Sequence, residues 1–133
     1  MSHYVDVYTV VRDQDALVKA LERMGFKGKI EVVATAQALV GYEGDKREQK
    51  AHVIIRRQHV GAASNDIGFE RMPNGQFVSH ISEYDQHQYN QKWQNQLYTW
   101  YGVEATKLAC DKEKLRYTED MDEKQRPRIR VTV

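Results

Sequence analysis

Residues 85–112 read DQHQYNQKWQNQLYTWYGVEATKLACDK, and the reading of this stretch decides the fold. Large apolar side chains fall at Tyr89, Trp93, Leu97, Trp100, Val103 (or its neighbour Glu104) and Leu108. Steps of three and four residues put them on one stripe of a helix with 3.6 residues per turn. Asn90, Gln91, Lys92, Gln94, Asn95 and Gln96 lie between them and are expected to face water. Asp85 is the expected N-cap, its carboxylate accepting from amides of the first turn, with Gln88 three residues on to return the bond. A single helix over this stretch would run roughly 40 Å at about 1.5 Å per residue. That is long for a small chain, so part of it is expected to project or to pack on a partner. Gly102 interrupts the stripe, where glycine costs about 1 kcal/mol relative to alanine. A close contact, a kink and a break between two helices are the three readings of it.

The residues before this helix supply the layer it packs on. Residues 4–11, YVDVYTVV, are β-branched and aromatic, the composition of a strand. Asp13 or Asp15 then caps a short helix whose apolar stripe is Leu17, Ala20, Leu21 and Met24. Gly25 is the expected left-handed closing residue, with Phe26 folding back on Leu21. Over residues 30–40 the even positions Ile30, Val32, Ala34, Ala36, Ala38 and Val40 are all apolar. This period of two predicts a long strand with its even side chains buried. Residues 41–47 form a polar turn and 51–57 the next strand, with Val53 and Ile55 on one face. Residues 60–65 read as a loop. Residues 66–71 and 76–83 form a hairpin around Met72-Pro73-Asn74-Gly75, a strong turn sequence. After the long helix, 115–118 reads as a short strand, 119–124 as an acidic turn and 128–133 as a half-buried strand with Ile129, Val131 and Val133 inward. The fold class is therefore α+β: a mostly antiparallel sheet with a short N-terminal and a long C-terminal helix on one face. A ferredoxin-like topology is one candidate arrangement.

A chain of 133 residues is expected to form one domain with a core that needs no disulfide or metal. Its 20 basic and 19 acidic residues give a net charge of +1, no electrostatic footprint for nucleic acid or an anionic membrane. The lone Cys110 excludes an internal disulfide and fits a reducing compartment. No apolar run approaches the roughly 20 residues of a membrane span. No basic segment followed by an apolar one marks a leader peptide. A soluble, cytoplasmic protein is the expectation.

Several short motifs occur in order. They are Met1-Ser2-His3 with Tyr4, then Arg12-Asp13, then Ala16-Leu17-x-x-Ala20-Leu21-x-x-Met24-Gly25-Phe26. Asp66-Ile67-Gly68-Phe69 follows, and then YGVEAT at 101–106. Together they resemble a family of unknown function that includes the hypothetical chloroplast reading frame 35 proteins of algal plastids and cyanobacteria, with bacterial and phage relatives. The resemblance implies a small accessory protein. It also implies an AAA-type ATPase partner, near which some members are encoded. The Gln/Asn-rich helix and the arginine-bearing tail depart from the plastid pattern.

His3, His52, His59, His80 and His87 are numerous, but no His-x-x-x-His or Cys-x-x-Cys pair occurs, so no metal site or cofactor is assigned. His52 and His80 fall on strands and can converge. With His3 and Asp66 they define the weakest reading, a metal-dependent hydrolase. Cys110 sits near a helix C-terminus, where the dipole disfavours a thiolate. Asp66 beside Gly68 either presents a carboxylate to a ligand or bonds nearby amides, and the second is favoured. Tyr98 and Tyr101 lie off the apolar stripe and are candidates for an interface or a stacked ligand. Lys46-Arg47, Arg56-Arg57 and Arg126, Arg128 and Arg130 are the basic groups. Arg128 and Arg130 can meet phosphates or simply form a charged strand edge. The leading reading is a non-enzymatic accessory protein that self-associates. The runner-up binds a nucleotide or another small anion through His3, Asp66, Tyr98, Tyr101, Arg128 and Arg130.

Overall fold

The structure is a computed structural model describing residues 4–8 and 11–132, of residues 5–8 the backbone only. His3 and Val133 therefore lie outside the described residues, as do Thr9 and Val10 of the expected first strand. The strands are β1 (Tyr4–Tyr8), β2 (Ile30–Val40), β3 (Lys46–Ile55), β4 (Ile67–Arg71), β5 (Phe77–Ser82), β6 (Arg116–Met121) and β7 (Pro127–Thr132). The helices are α1 (Gln14–Leu21) and α2 (Gln91–Lys112). Strands β1 to β5 form one sheet in the order β1-β5-β4-β3-β2, and β6-β7 is a separate hairpin. The fold is α+β, as expected. Its topology differs from the ferredoxin-like one. In a ferredoxin-like sheet β1 is an inner strand and a single strand lies between the two that the first helix joins, whereas here β1 is an edge and β5, β4 and β3 all lie between β1 and β2. Strands β1 and β2 occupy opposite edges, so α1 carries the chain across the whole sheet.

Both helices pack on one face of that sheet. Leu17, Ala20 and Leu21 of α1 and Leu97 of α2 share a core with Val53, Ile55, Phe69, Phe77 and Ile81. Asp13 is the cap of α1, its Oδ1 accepting from the amide of Ala16 at 3.0 Å. A wide helical turn over Glu22–Phe26 follows, with Gly25 at φ 102°, the left-handed conformation expected of it. Phe26 enters the core and meets Trp93 edge-on, with ring centres 6.3 Å apart.

Helix α2 begins later than its sequence suggests. Asn90 is the cap, its Oδ1 accepting from the amide of Trp93 at 3.1 Å, while Asp85–His87 form a separate 3-10 turn. Asp85 is lost as a cap because Asn65 and Ser82 take its carboxylate. The helix is 22 residues, roughly 33 Å at about 1.5 Å per residue. Trp93 and Trp100 are half-buried against the core, as expected. The buried face is rotated so that Gln94, expected to face water, is only 3% exposed. Its Nε2 donates to the carbonyl of Tyr89 at 3.3 Å. Gly102 faces solvent with open space where a side chain would sit, and the helix runs through it. The distal half of α2 does not project, because the β6-β7 hairpin packs on it.

Two strand readings need correction. Glu119, Asp120 and Met121 belong to β6, and the acidic turn lies after them, where Asp122 Oδ1 accepts from the amides of Lys124 and Arg126. In β2 the even positions do not form the buried face: Val32 is 46% exposed and Leu39 is fully buried. Register shifts between Val32 and Gln37 and between Ala38 and Val40 change which side chains point inward. These irregularities bend the β2-β3 ribbon. Ile55, at the end of β3, pairs with Ile67, while Val40, opposite Lys46 at the other end, bonds the backbone of Asp66. Both ends of the ribbon thus return to one short segment. The curl encloses a second small core of Leu39, Ala51 and Ile54 on the face opposite the helices. Gly68 lies beneath it, and a Cβ there would stand 2.5 Å from that of Ala51. The Asp66-Ile67-Gly68-Phe69 stretch therefore needs glycine for close packing.

Candidate functional site

The curl closes on Asp66, which is 1% exposed. Its Oδ1 accepts from the amide of Arg57 at 2.8 Å. Its Oδ2 accepts from the amide of Val40 at 2.7 Å and from Arg56 Nη1 at 2.9 Å. The Tyr4 hydroxyl donates to its carbonyl at 2.7 Å. Burial, and after it the negative charge of Asp66, pushes the Tyr4 phenol far above its usual range. Arg56 also reaches Glu31 through Nε at 2.7 Å and Gln37 through Nη2 at 3.0 Å. The hydrogen bond to Glu31, and then that to Asp66, holds this guanidinium charged against the opposing effect of burial.

Next to Asp66 the network continues inward. Asn65 is fully buried, its Oδ1 accepting from the amide of Tyr42 and its Nδ2 donating to Ser82 Oγ and Asp85 Oδ2. Ser82 Oγ donates to the same Asp85 oxygen at 2.7 Å. Apart from the Ser82–Asp85 bond, these contacts join segments 17 or more residues apart. Asp66 accordingly serves as a staple, with amides from outside its own turn.

Above this staple lies an open groove of about 650 Å³ lined by Glu31, Gln37, Lys46, Arg56, Arg57 and Asp66, with Ala38, Val40 and Gln58 completing it. A smaller cleft of about 360 Å³ lies elsewhere, between α2 and the hairpin, where Trp100 meets Met121 and Pro127. A charged knot borders it. Arg23 pairs with Glu119 at 2.7 Å and with Glu104 at 3.4 Å, Lys107 reaches both carboxylates at 3.3 Å, and Arg23 lies 4.5 Å from the Trp100 ring. Hydrogen bonding from Arg23 holds the Glu119 carboxyl below its usual range.

The residues proposed from sequence fall in separate surroundings. Asp66 is in the staple. The Tyr101 hydroxyl accepts from the amides of Arg12 and Asp13 at 3.0 and 2.9 Å, so it anchors the entry to α1. Tyr98 packs against the main core. Arg128 makes a two-pronged pair with Asp120 at 2.7 and 2.8 Å, and Arg130 approaches the same carboxylate at 3.8 Å. His52 and His80 each have another partner: His52 Nδ1 accepts from the amide of Arg71, and His80 Nε2 contacts Glu70 Oε1 at 2.8 Å. Burial, with the charge of Arg71, lowers the His52 pKa. Among the described residues no three His, Cys, Asp or Glu side chains stand close enough to hold a metal ion. Cys110 is a buried free thiol. No helix among them is long and apolar enough to cross a membrane. Lys46 and Arg57 were visible in the sequence as basic pairs, but nothing local told that they line one groove.

Comparison with protein-family models, curated proteins and solved structures gives no match.

Proposed function

We propose that this is a cytoplasmic accessory protein that acts by contact, not by chemistry of its own, and that it self-associates through the β6-β7 hairpin. The observation that supports this reading is the half-covered apolar face of that hairpin. Tyr117, Glu119 and Met121 pair across the ladder with Val131, Ile129 and Pro127, and share the face turned to α2. Helix α2 covers only part of it. Met121 is 46% exposed, Val131 42% and the adjoining Leu115 45%. A two-stranded hairpin is marginal alone in water, and its outer edges offer unpaired backbone groups to another strand. Among the described residues β6 and β7 pair only with each other. The side chains most often used in catalysis are meanwhile engaged in structural bonds, as at Asp66, Asp85, His52 and His80.

Light scattering across a concentration series tests the reading. The expected result is a dimer or larger species that the double substitution Met121→Glu, Val131→Glu returns to monomer with an unchanged circular dichroism spectrum. The AAA-type ATPase implied by the family resemblance is the alternative occupant, assayed by pull-down with the same variant. A monomer at every concentration that also retains no partner sinks the proposal.

A further inference from the structure

We infer that the groove beside Asp66 binds a small organic anion, through a phosphate or carboxylate group held by Lys46 and Arg57. The groove contains three cationic side chains, Lys46, Arg56 and Arg57, and two carboxylates, Glu31 and Asp66. Both carboxylates bond to Arg56. One guanidinium against two carboxylates leaves the centre at −1, and Lys46 and Arg57 bring the groove to a net charge of +1. Among the described residues no carboxylate pairs with either. Arg57 spends one donor on the carbonyl of Tyr42 at 3.1 Å, leaving most of its fork of five N–H groups for a ligand.

The positions are built in advance. Lys46 opens β3 and Arg57 follows its end, so a straight strand would hold them roughly 35 Å apart at about 3.3 Å per residue. The curl of the ribbon brings them to one groove. Asp66 then fixes the Arg57 backbone through its amide and the Arg56 guanidinium through Nη1. Arg56 is in turn braced by Glu31 and Gln37. A ligand meeting this wall orders few groups on binding, which conserves affinity. A volume of about 650 Å³ suits a metabolite-sized molecule. The exposed amide of Gln58 and the apolar sides of Ala38 and Val40 offer contacts beyond the anionic group.

This site is separate from the hairpin, so its failure would leave the association proposal standing. The test is a titration of the full-length, nitrogen-15-labelled chain with inorganic phosphate, a second arm using acetate, and sodium chloride at matched ionic strength as control. The expected result is a saturable shift of the amides of Lys46, Arg57 and Gln58 by one or both anions, with a midpoint near or below about 1 mM. Lys46→Ala, at an exposed position, weakens it several-fold, and adding Arg57→Ala weakens it at least about tenfold. Arg57→Lys keeps partial binding, and Arg128→Ala leaves it unchanged. An unsaturated drift equal to that with chloride overturns the inference. So does saturation that Lys46→Ala and Arg57→Lys leave untouched.

Discussion

Asp66 and Asp120 each hold an arginine at short range, Asp66 at 2.9 Å from Arg56 and Asp120 at 2.7 Å from Arg128. Their surroundings separate them. The Asp66 side chain is 1% exposed and also accepts two backbone amides, from Val40 and Arg57. The Asp120 side chain is 42% exposed and its partner Arg128 38%, on a hairpin packed mainly against α2. Water competes for every bond that Asp120 makes, and salt screens it. At Asp66 the same chemistry is shielded, and it reinforces the junction that the Asp66 amide makes with the Val40 carbonyl and that the β3-β4 ladder makes beside it. The comparison teaches that an arginine-carboxylate pair supports the fold in proportion to what else the carboxylate holds and how little water reaches it.

The largest effect that sharpens this contrast is expected from Asp66→Ala. Removing the carboxylate leaves two part-buried amides without their acceptor and takes from Arg56 one of its two carboxylates, a loss of about 3–5 kcal/mol. Urea unfolding followed by circular dichroism reads it as a fall in midpoint. A loss no greater than that of a surface substitution would erase the distinction between the two aspartates.

Much of the framework was legible in the sequence. The caps and turns at Asp13, Gly25 and Met72–Gly75, and the inward Leu97, follow from local rules that operate within a few residues. The staple was not legible, because its partners come from 9 and 26 residues away and are backbone amides that carry no side-chain signature. The curl hid it further. A β-bulge changes the phase of the pattern, so the regular apolar spacing of Ile30 to Val40 gave the wrong buried face, and Leu39 went unnoticed. Asp85 misled for a related reason: it is a good cap by type, but Asn65 and Ser82 compete for it in three dimensions. The site residues chosen from sequence were scattered because aromatic and basic character signals exposure or packing equally well. Tyr101 looks like a contact residue and is an anchor for two amides.

A second prediction probes the same junction without touching charge. In Gly68→Ala the new methyl would meet the Ala51 Cβ at 2.5 Å and Leu39 Cδ2 at 2.8 Å. The curled ribbon must then shift or lift, at a cost of about 1–3 kcal/mol. The measured quantity is again the urea midpoint, with faster amide exchange over residues 37–40 and 51–54. A neutral Gly68→Ala would mean the ribbon is held loosely, and the weight placed on Asp66 would have to fall with it.

Between the extremes stands Glu119, bonded to Arg23 and Lys107 with its side chain 29% exposed. Its pKa is depressed mainly by the hydrogen bond from Arg23. The unfolded chain therefore takes up a proton before the folded one does as pH falls. The stabilisation is fully present above the unfolded value of about 4.3, and is lost as pH drops below it through the folded value. Glu119→Gln should lower the unfolding midpoint slightly at neutral pH and make it less steep between about pH 5 and pH 3. Parallel acid profiles for the two proteins would show that this partly exposed knot behaves like the hairpin surface, and would move the boundary of the comparison inward.

The smallest effect is expected at Asp120→Asn. Arg128 depresses the Asp120 pKa by its hydrogen bond, so a contribution of the same sign as that of Glu119 exists in principle. It belongs to a pair open to water, where the ordering of two side chains offsets the attraction and dissolved ions weaken it. The hairpin also keeps its packing on α2 and the pairing of Asp122 with Arg126 at 2.7 Å. The urea midpoint of Asp120→Asn should therefore match that of the parent within error, at low and at high salt alike. A loss comparable to that of Asp66→Ala would mean that the Arg128 pair, on the face of the hairpin opposite Met121 and Val131, is shielded as well, by a second copy or another partner. In that event the drop should grow with protein concentration, because association stabilises the folded chain by mass action.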